Sequence, residues 1–183
     1  GRICSIFISF NIELNKDDYN NELNILGRII GKSPVELIIY VNELNKRQII
    51  QKRGNMRAVL PHAISNRLAD ELLSTFPVEV VINEIKNSKR LELSFFRRLR
   101  FLHNKEYAIN IAGLYLDNID FENVDKHEME ILKCINVISP EKILYKIEQV
   151  KKDSFFARKN DQYYDWARIL AYIAYDSDLF YNI

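Results

Sequence analysis

The chain has 183 residues, 48% of them apolar and 28% charged, the balance of a globular protein with a buried core. Lys plus Arg number 26 against 25 Asp plus Glu, so the overall charge provides no drive towards nucleic acid or a membrane surface. Five glycines and four prolines are few for a turn-rich β protein and favour helices joined by short loops.

The chain opens Gly1-Arg2-Ile3-Cys4, which reads as the interior of a longer protein. Its apolar run Ile3–Phe10 is too short to cross a bilayer and lacks the layout of a signal peptide, so it reads as a strand or helix. A helix is expected over Asn20–Ile30. Leu23, Leu26 and Ile30 lie on one face, Asp18 or Asn20 is the cap, and Gly31 is the stop. Ser33-Pro34-Val35-Glu36 is a capping box with proline at the first helical position, opening a helix to about Lys46 with Leu37, Val41 and Leu44 as its buried stripe.

Two strand-like runs, Gln48–Arg53 and Met56–Leu60, flank Gly54-Asn55 and read as a hairpin. Pro61 ends the second run and opens a helix in which Ile64, Leu68 and Leu72 recur every four residues, with Phe76 extending the stripe before Pro77. Two helices, a hairpin and a third helix follow the order of a winged helix, assigned to residues 1–77.

Residues 78–183 read as helical throughout. Val78–Ile85 is an apolar connector or the start of a helix. Leu91, Phe95, Leu99 and Leu102 form one stripe; Ala108, Ile111, Leu114 and Tyr115 form another. Asp125–Glu128 is a second capping box, ahead of Met129, Leu132 and Ile135. Ser139-Pro140 starts a helix with Ile143, Ile147 and Val150 inside, and Asp161 precedes a last one with Trp166, Ile169, Leu170 and Ile173. The expected fold is mainly α, a winged-helix domain followed by an α-helical bundle or solenoid-like arm.

No residue is assigned a catalytic role. The sequence has no phosphate loop of the form Gly-x-x-x-x-Gly-Lys-Ser/Thr, no glycine-rich dinucleotide turn and no His-Glu-x-x-His. His62, His103 and His127 stand far apart with no Cys or His at ligand spacing, so no metal site is expected. Cys4 and Cys134 are the only cysteines, which argues against a disulfide framework and for a reducing, cytoplasmic setting. Both read as ordinary core residues.

Lys46, Arg47, Lys52, Arg53 and Arg57 crowd the hairpin and could track phosphates. The helix that would enter a major groove, Pro34–Lys46, instead offers Glu36, Glu43, Ile38, Ile39 and Tyr40, a face suited to protein packing. Arg97, Arg98, Arg100 and Lys105 alternate with Phe95, Phe96 and Phe101. That pattern can stack on single strands, and at helical spacing it reads better as a core stripe with solvated arginines.

Gln51-Lys-Arg-Gly-Asn-Met-Arg-Ala-Val-Leu-Pro-His-Ala-Ile-Ser-Asn-Arg-Leu-Ala69 resembles a run in large bacterial STAND NTPases, including the Avs-type antiviral proteins, from the winged-helix domain after the P-loop core. Ser94-Phe-Phe-Arg-Arg-Leu-Arg-Phe-Leu-His103 is similar to a second run of that family. Met56 replaces the family's tryptophan. The resemblance implies a non-catalytic regulatory and oligomerisation segment of an antiphage ATPase. ATP or ADP would be held only in the full-length protein, by an upstream NTPase core. The implied partners are that core, a phage protein as trigger, and further copies of the protein on activation; neither nucleic acid nor a membrane is expected. It further implies that His62 contacts a phosphate of bound ADP, although Ala63 stands where the family often has an acid. The alternative is a DNA-binding winged-helix transcription regulator with a helical effector domain.

Overall fold

The computed structural model describes residues 1–14, 18–150 and 160–175. They are mainly helical, with one small antiparallel sheet. The chain divides into two compact units, Gly1–Leu102 and His103–Ile183.

In the first unit the order is α1 (Arg2–Ser5), β1 (Phe10–Asn11), α2 (Glu22–Ile30), α3 (Pro34–Lys46), β2 (Ile50–Arg53), β3 (Met56–Val59), α4 (His62–Leu73), α5 (Val78–Ile85), α6 (Lys89–Leu99) and a 3-10 turn at Arg100–Leu102. The strands lie in the order β1-β3-β2. The Ser33–Glu36 capping box forms with both bonds in place. Gly31 closes α2 at φ 65°, where a side chain would be strained, and its amide reaches back to Arg28. The cap of α2 is Asn21, whose side chain accepts from the Leu23 amide. The expected Asp18 and Asn20 instead form a turn ahead of it, with the Asn20 amide donating to Asp18 Oδ1.

The apolar stripe expected on α4 is displaced by one residue. Ser65, Ala69 and Leu73 are buried, whereas Ile64 is 49% exposed and Leu68 and Leu72 are half-buried. Helix α4 packs on α1, and its small residues let the two backbones approach closely, leaving the larger side chains on the flank. Division after residue 77 was the sequence expectation. Helix α5 packs on α2 and α6, and these two helices complete the first unit's core with Val81, Ile85, Leu91, Phe95 and Leu99.

The second unit contains α7 (Glu106–Asp117), α8 (Lys126–Ile135), α9 (Pro140–Gln149) and α10 (Asn160–Tyr175), with no strand among its described residues. Helix α10 includes Asp161, the expected residue before it. The Asp125–Glu128 capping box starts α8. Packing joins α7 to α9, and α10 to both α8 and α9. Phe121, Met129, Leu132, Ile135, Ile143 and Trp166 make the core, with the Phe121 and Trp166 rings 6.0 Å apart. On α7 the buried face is Ala108, Ile111, Ala112 and Leu116; Leu114, expected inside, is 51% exposed. No helix among the described residues is long and apolar enough to cross a membrane.

Candidate functional site

Strands β2 and β3 are joined by Gly54-Asn55, with Gly54 at φ 58° as a tight hairpin requires. Their register pairs Ile50 with Val59 and Lys52 with Arg57, and on the opposite face Gln51 with Ala58 and Arg53 with Met56. Side chains alternate across a strand, and Ile50 and Val59 are buried, so their face is the inner one. Arg57 shares it and is only 6% exposed. Its Nη1 donates to Gly54 O at 2.7 Å and Met56 O at 2.9 Å, and burial lowers the pKa of its guanidinium. Arg57 therefore braces the hairpin.

The rest of the basic cluster is also dispersed. Lys46 and Arg47 both pair with Glu43, at 3.6 and 3.8 Å. Lys52 and Arg53 are exposed and, as sequence neighbours on a strand, point to opposite faces. Along α3, Val35, Ile39 and Tyr40 are exposed beside Glu36. The Glu36 carboxyl is held below the usual range by hydrogen bonds from the Ser33 backbone and side chain and from Lys32.

On the outer face of the hairpin, Arg53, Met56 and Ala58 join Ile8, Ser9 and His62 around a cavity of about 390 Å³ whose lining also includes Arg57. His62 is exposed and is the first residue of α4, behind Pro61, and no side chain caps this helix. The first amides of a helix lack partners within it and carry the positive end of its dipole. Among the described residues no carboxylate lines the cavity. Arg53 and His62, the latter at a helix N-terminus, thus line one opening, a combination of groups that suits an anion.

The Ile8–Ser9 side of this cavity is held by α6, through contacts that no sequence motif announces. Arg90, Ser94 and Arg98 recur every four residues and meet the Phe7–Asn11 segment in order. Arg98 Nη2 donates to Phe7 O at 3.3 Å, and its Nη1 donates to Asn66 Oδ1. Ser94 Oγ accepts from the Ser9 amide at 3.0 Å and donates to Ser9 O at 2.7 Å, while the Ile8 amide donates to Ser94 O at 3.2 Å. Arg90 pairs with Glu22, whose Oε2 accepts from the Asn11 amide at 2.6 Å. At its end the same segment pairs with β3, Phe10 against Arg57 and Asn11 against Met56.

Arg98 was expected among the solvated arginines. It is fully buried, and that burial pushes its pKa down to about 10. Arg97 and Arg100 are exposed. Phe95 and Phe96 are buried against each other, ring centroids 5.5 Å apart, so they offer no stacking platform. The signal that could have exposed the ladder is its spacing, i, i+4, i+8 on a face otherwise apolar.

His103 is exposed and His127 half-buried. No group of His, Cys, Asp and Glu able to hold a metal ion occurs among the described residues. Cys4 and Cys134 are both buried, and burial pushes the Cys4 thiol up to about 11, away from nucleophilic chemistry. No family model, curated protein or solved structure matches the chain.

Proposed function

We propose that this chain is the non-catalytic regulatory segment of a STAND P-loop NTPase of antiphage type: a winged helix followed by a helical arm, coupling nucleotide state to sensing. The order α1-β1-α2-α3-β2-β3 with strands arranged β1-β3-β2 supports the winged-helix assignment, the hairpin Ile50–Val59 being the wing. The observation that carries the reading is the setting of His62. It is exposed, follows the second wing strand after Leu60 and Pro61, opens α4, and borders a cavity that Arg53 shares and that no carboxylate among the described residues lines. In the full-length protein His62 donates to a phosphate of ADP held by the upstream core and stabilises the closed state. Oligomerisation and response to a trigger follow nucleotide exchange.

One charge-assisted hydrogen bond contributes about 1.5–3 kcal/mol. His62→Ala in the full-length protein is therefore expected to weaken ADP binding by up to about 100-fold and to activate the protein without its trigger. Thermal unfolding is measured beside it. A variant that melts like the parent and binds ADP equally well ends the reading. The DNA-binding alternative is disfavoured by α3, whose solvent face carries Val35, Ile39 and Tyr40 with Glu36 and Glu43, chemistry that neither follows a phosphate backbone nor reads base edges.

A further inference from the structure

We propose that α6 positions the cavity beside His62: Arg90, Ser94 and Arg98 together fix the Phe7–Asn11 segment, and with it the Ile8–Ser9 side of the cavity that His62 also lines. That segment is nearly all loop; β1 contributes only Phe10 and Asn11 to the sheet. The Ile8 and Ser9 amides go to α6 through Ser94, and the Phe7 carbonyl goes to Arg98. Helix α6 therefore stands where a neighbouring strand would, and the position of one cavity wall depends on three side chains of one helix face. Arg98 also bonds Asn66, on the first turns of α4, so the same guanidinium ties the wall to the helix that His62 begins. Desolvating a guanidinium is costly, and here it is set against two neutral acceptors on two different elements, Phe7 O and Asn66 Oδ1. The ladder is thus explained by geometry at the cavity. What that geometry means for nucleotide state rests on the reading of His62 given above.

The test uses the 183-residue chain and reads the His62 imidazole C–H correlation by NMR together with amide exchange at Ser9. Ser94→Ala removes both hydroxyl bonds to Ser9, and Arg98→Met removes the guanidinium at nearly constant volume. Both are expected to shift the His62 correlation, and Ser94→Ala should speed Ser9 exchange about tenfold, the loss of one hydrogen bond. Ser94→Thr, which keeps the hydroxyl, should restore both signals. Leu37→Ala, a buried change in α3 away from the ladder, destabilises the unit and should leave the His62 correlation of the folded protein in place. If Ser94→Ala does not fold, Arg98→Met decides alone. A His62 correlation at the parent position in the ladder variants, or one displaced as far by Leu37→Ala, overturns the proposal. The two readings fail separately. A shifted His62 correlation with full-length ADP affinity untouched by His62→Ala keeps the positioning role and removes the nucleotide. An unmoved correlation with ADP affinity lost does the reverse.

Discussion

The two units are built on different principles. Among the described residues, Ser5, Glu22, Arg57, Ser65, Ser94 and Arg98 are the buried polar side chains of the first unit, and several tie together segments more than sixty residues apart. Among the described residues of the second unit the buried polar side chain is Asn136, whose Nδ2 donates to Ile169 O at 3.3 Å, and the rest of the core is apolar. The ion pairs among its described residues stay outside that core, partly exposed, where Lys142 and Lys146 share Asp117 and Lys133 bridges Glu130 and Asp165. Hydrophobic burial stabilises without regard to direction, whereas a buried hydrogen bond fixes one arrangement and penalises its neighbours. The first unit has a cavity and a short strand to place; the second has helices to stack.

The largest expected effect tests the apolar half of that contrast. Trp166 is 2% exposed and packs on Phe121. Trp166→Ala is expected to cost about 3–5 kcal/mol through lost burial and the cavity left behind. Because the units have separate cores, amide exchange in α8 and α10 should accelerate while α2 keeps its protection. Equal loss of protection in α2 would mean that the chain unfolds as one cooperative body and that the two cores are not independent.

A smaller effect belongs to the first unit and depends on pH. Burial raises the Cys4 thiol from about 9 to about 11. The folded protein thus holds that proton more tightly than the unfolded chain does. The associated stability is complete below pH 9 and is lost as pH rises through about 11, amounting to roughly 2–3 kcal/mol. Lysines and tyrosines titrate in the same range, so the comparison is between the pH slopes of the parent and of Cys4→Ala. The parent is expected to lose stability more steeply between pH 9 and 11, with protection falling first in α1 and α4. Parallel slopes would show that the thiol ionises without disturbing the core.

What could be read from the sequence follows the same division. The Ser33–Glu36 and Asp125–Glu128 boxes, the Gly31 stop and the Gly54-Asn55 turn were legible because each is decided within a few residues. The stripes of α6, α8 and α10 were legible because their buried faces carry large apolar residues. The face of α4 was not, since hydrophobic periodicity follows bulk and the buried positions there are Ser65 and Ala69. Strand β1 was hidden inside an apolar run, being only two residues long and defined by its pairing with β3. The polar ladder was hidden for a deeper reason: the partners of Ser94 and Arg98 include backbone groups of Phe7, Ile8 and Ser9, which have no side-chain signature. Of the candidate site, the order strand, Pro61, His62, helix was visible beforehand. The Ile8–Ser9 side of the cavity was not.

The smallest effect sharpens the comparison by naming something both units share. Ser33 Oγ accepts from the Glu36 amide at 3.2 Å, and Glu36 Oε2 accepts from the Ser33 amide at 2.9 Å. In the second unit Asp125 Oδ1 accepts from the Glu128 amide at 2.7 Å, and Glu128 Oε2 accepts from the Asp125 amide at 2.7 Å. A cap satisfies amides of its own first turn and draws on no distant element. Ser33→Ala and Asp125→Ala should therefore each cost about 1 kcal/mol, whichever core stands behind the helix. Chemical denaturation checks this, provided the transition midpoint moves and its slope does not. If Ser33→Ala cost several times more than Asp125→Ala, the corner between α2 and α3 would be part of the first unit's long-range polar scheme, and the distinction between local caps and distant ties would have to be redrawn there.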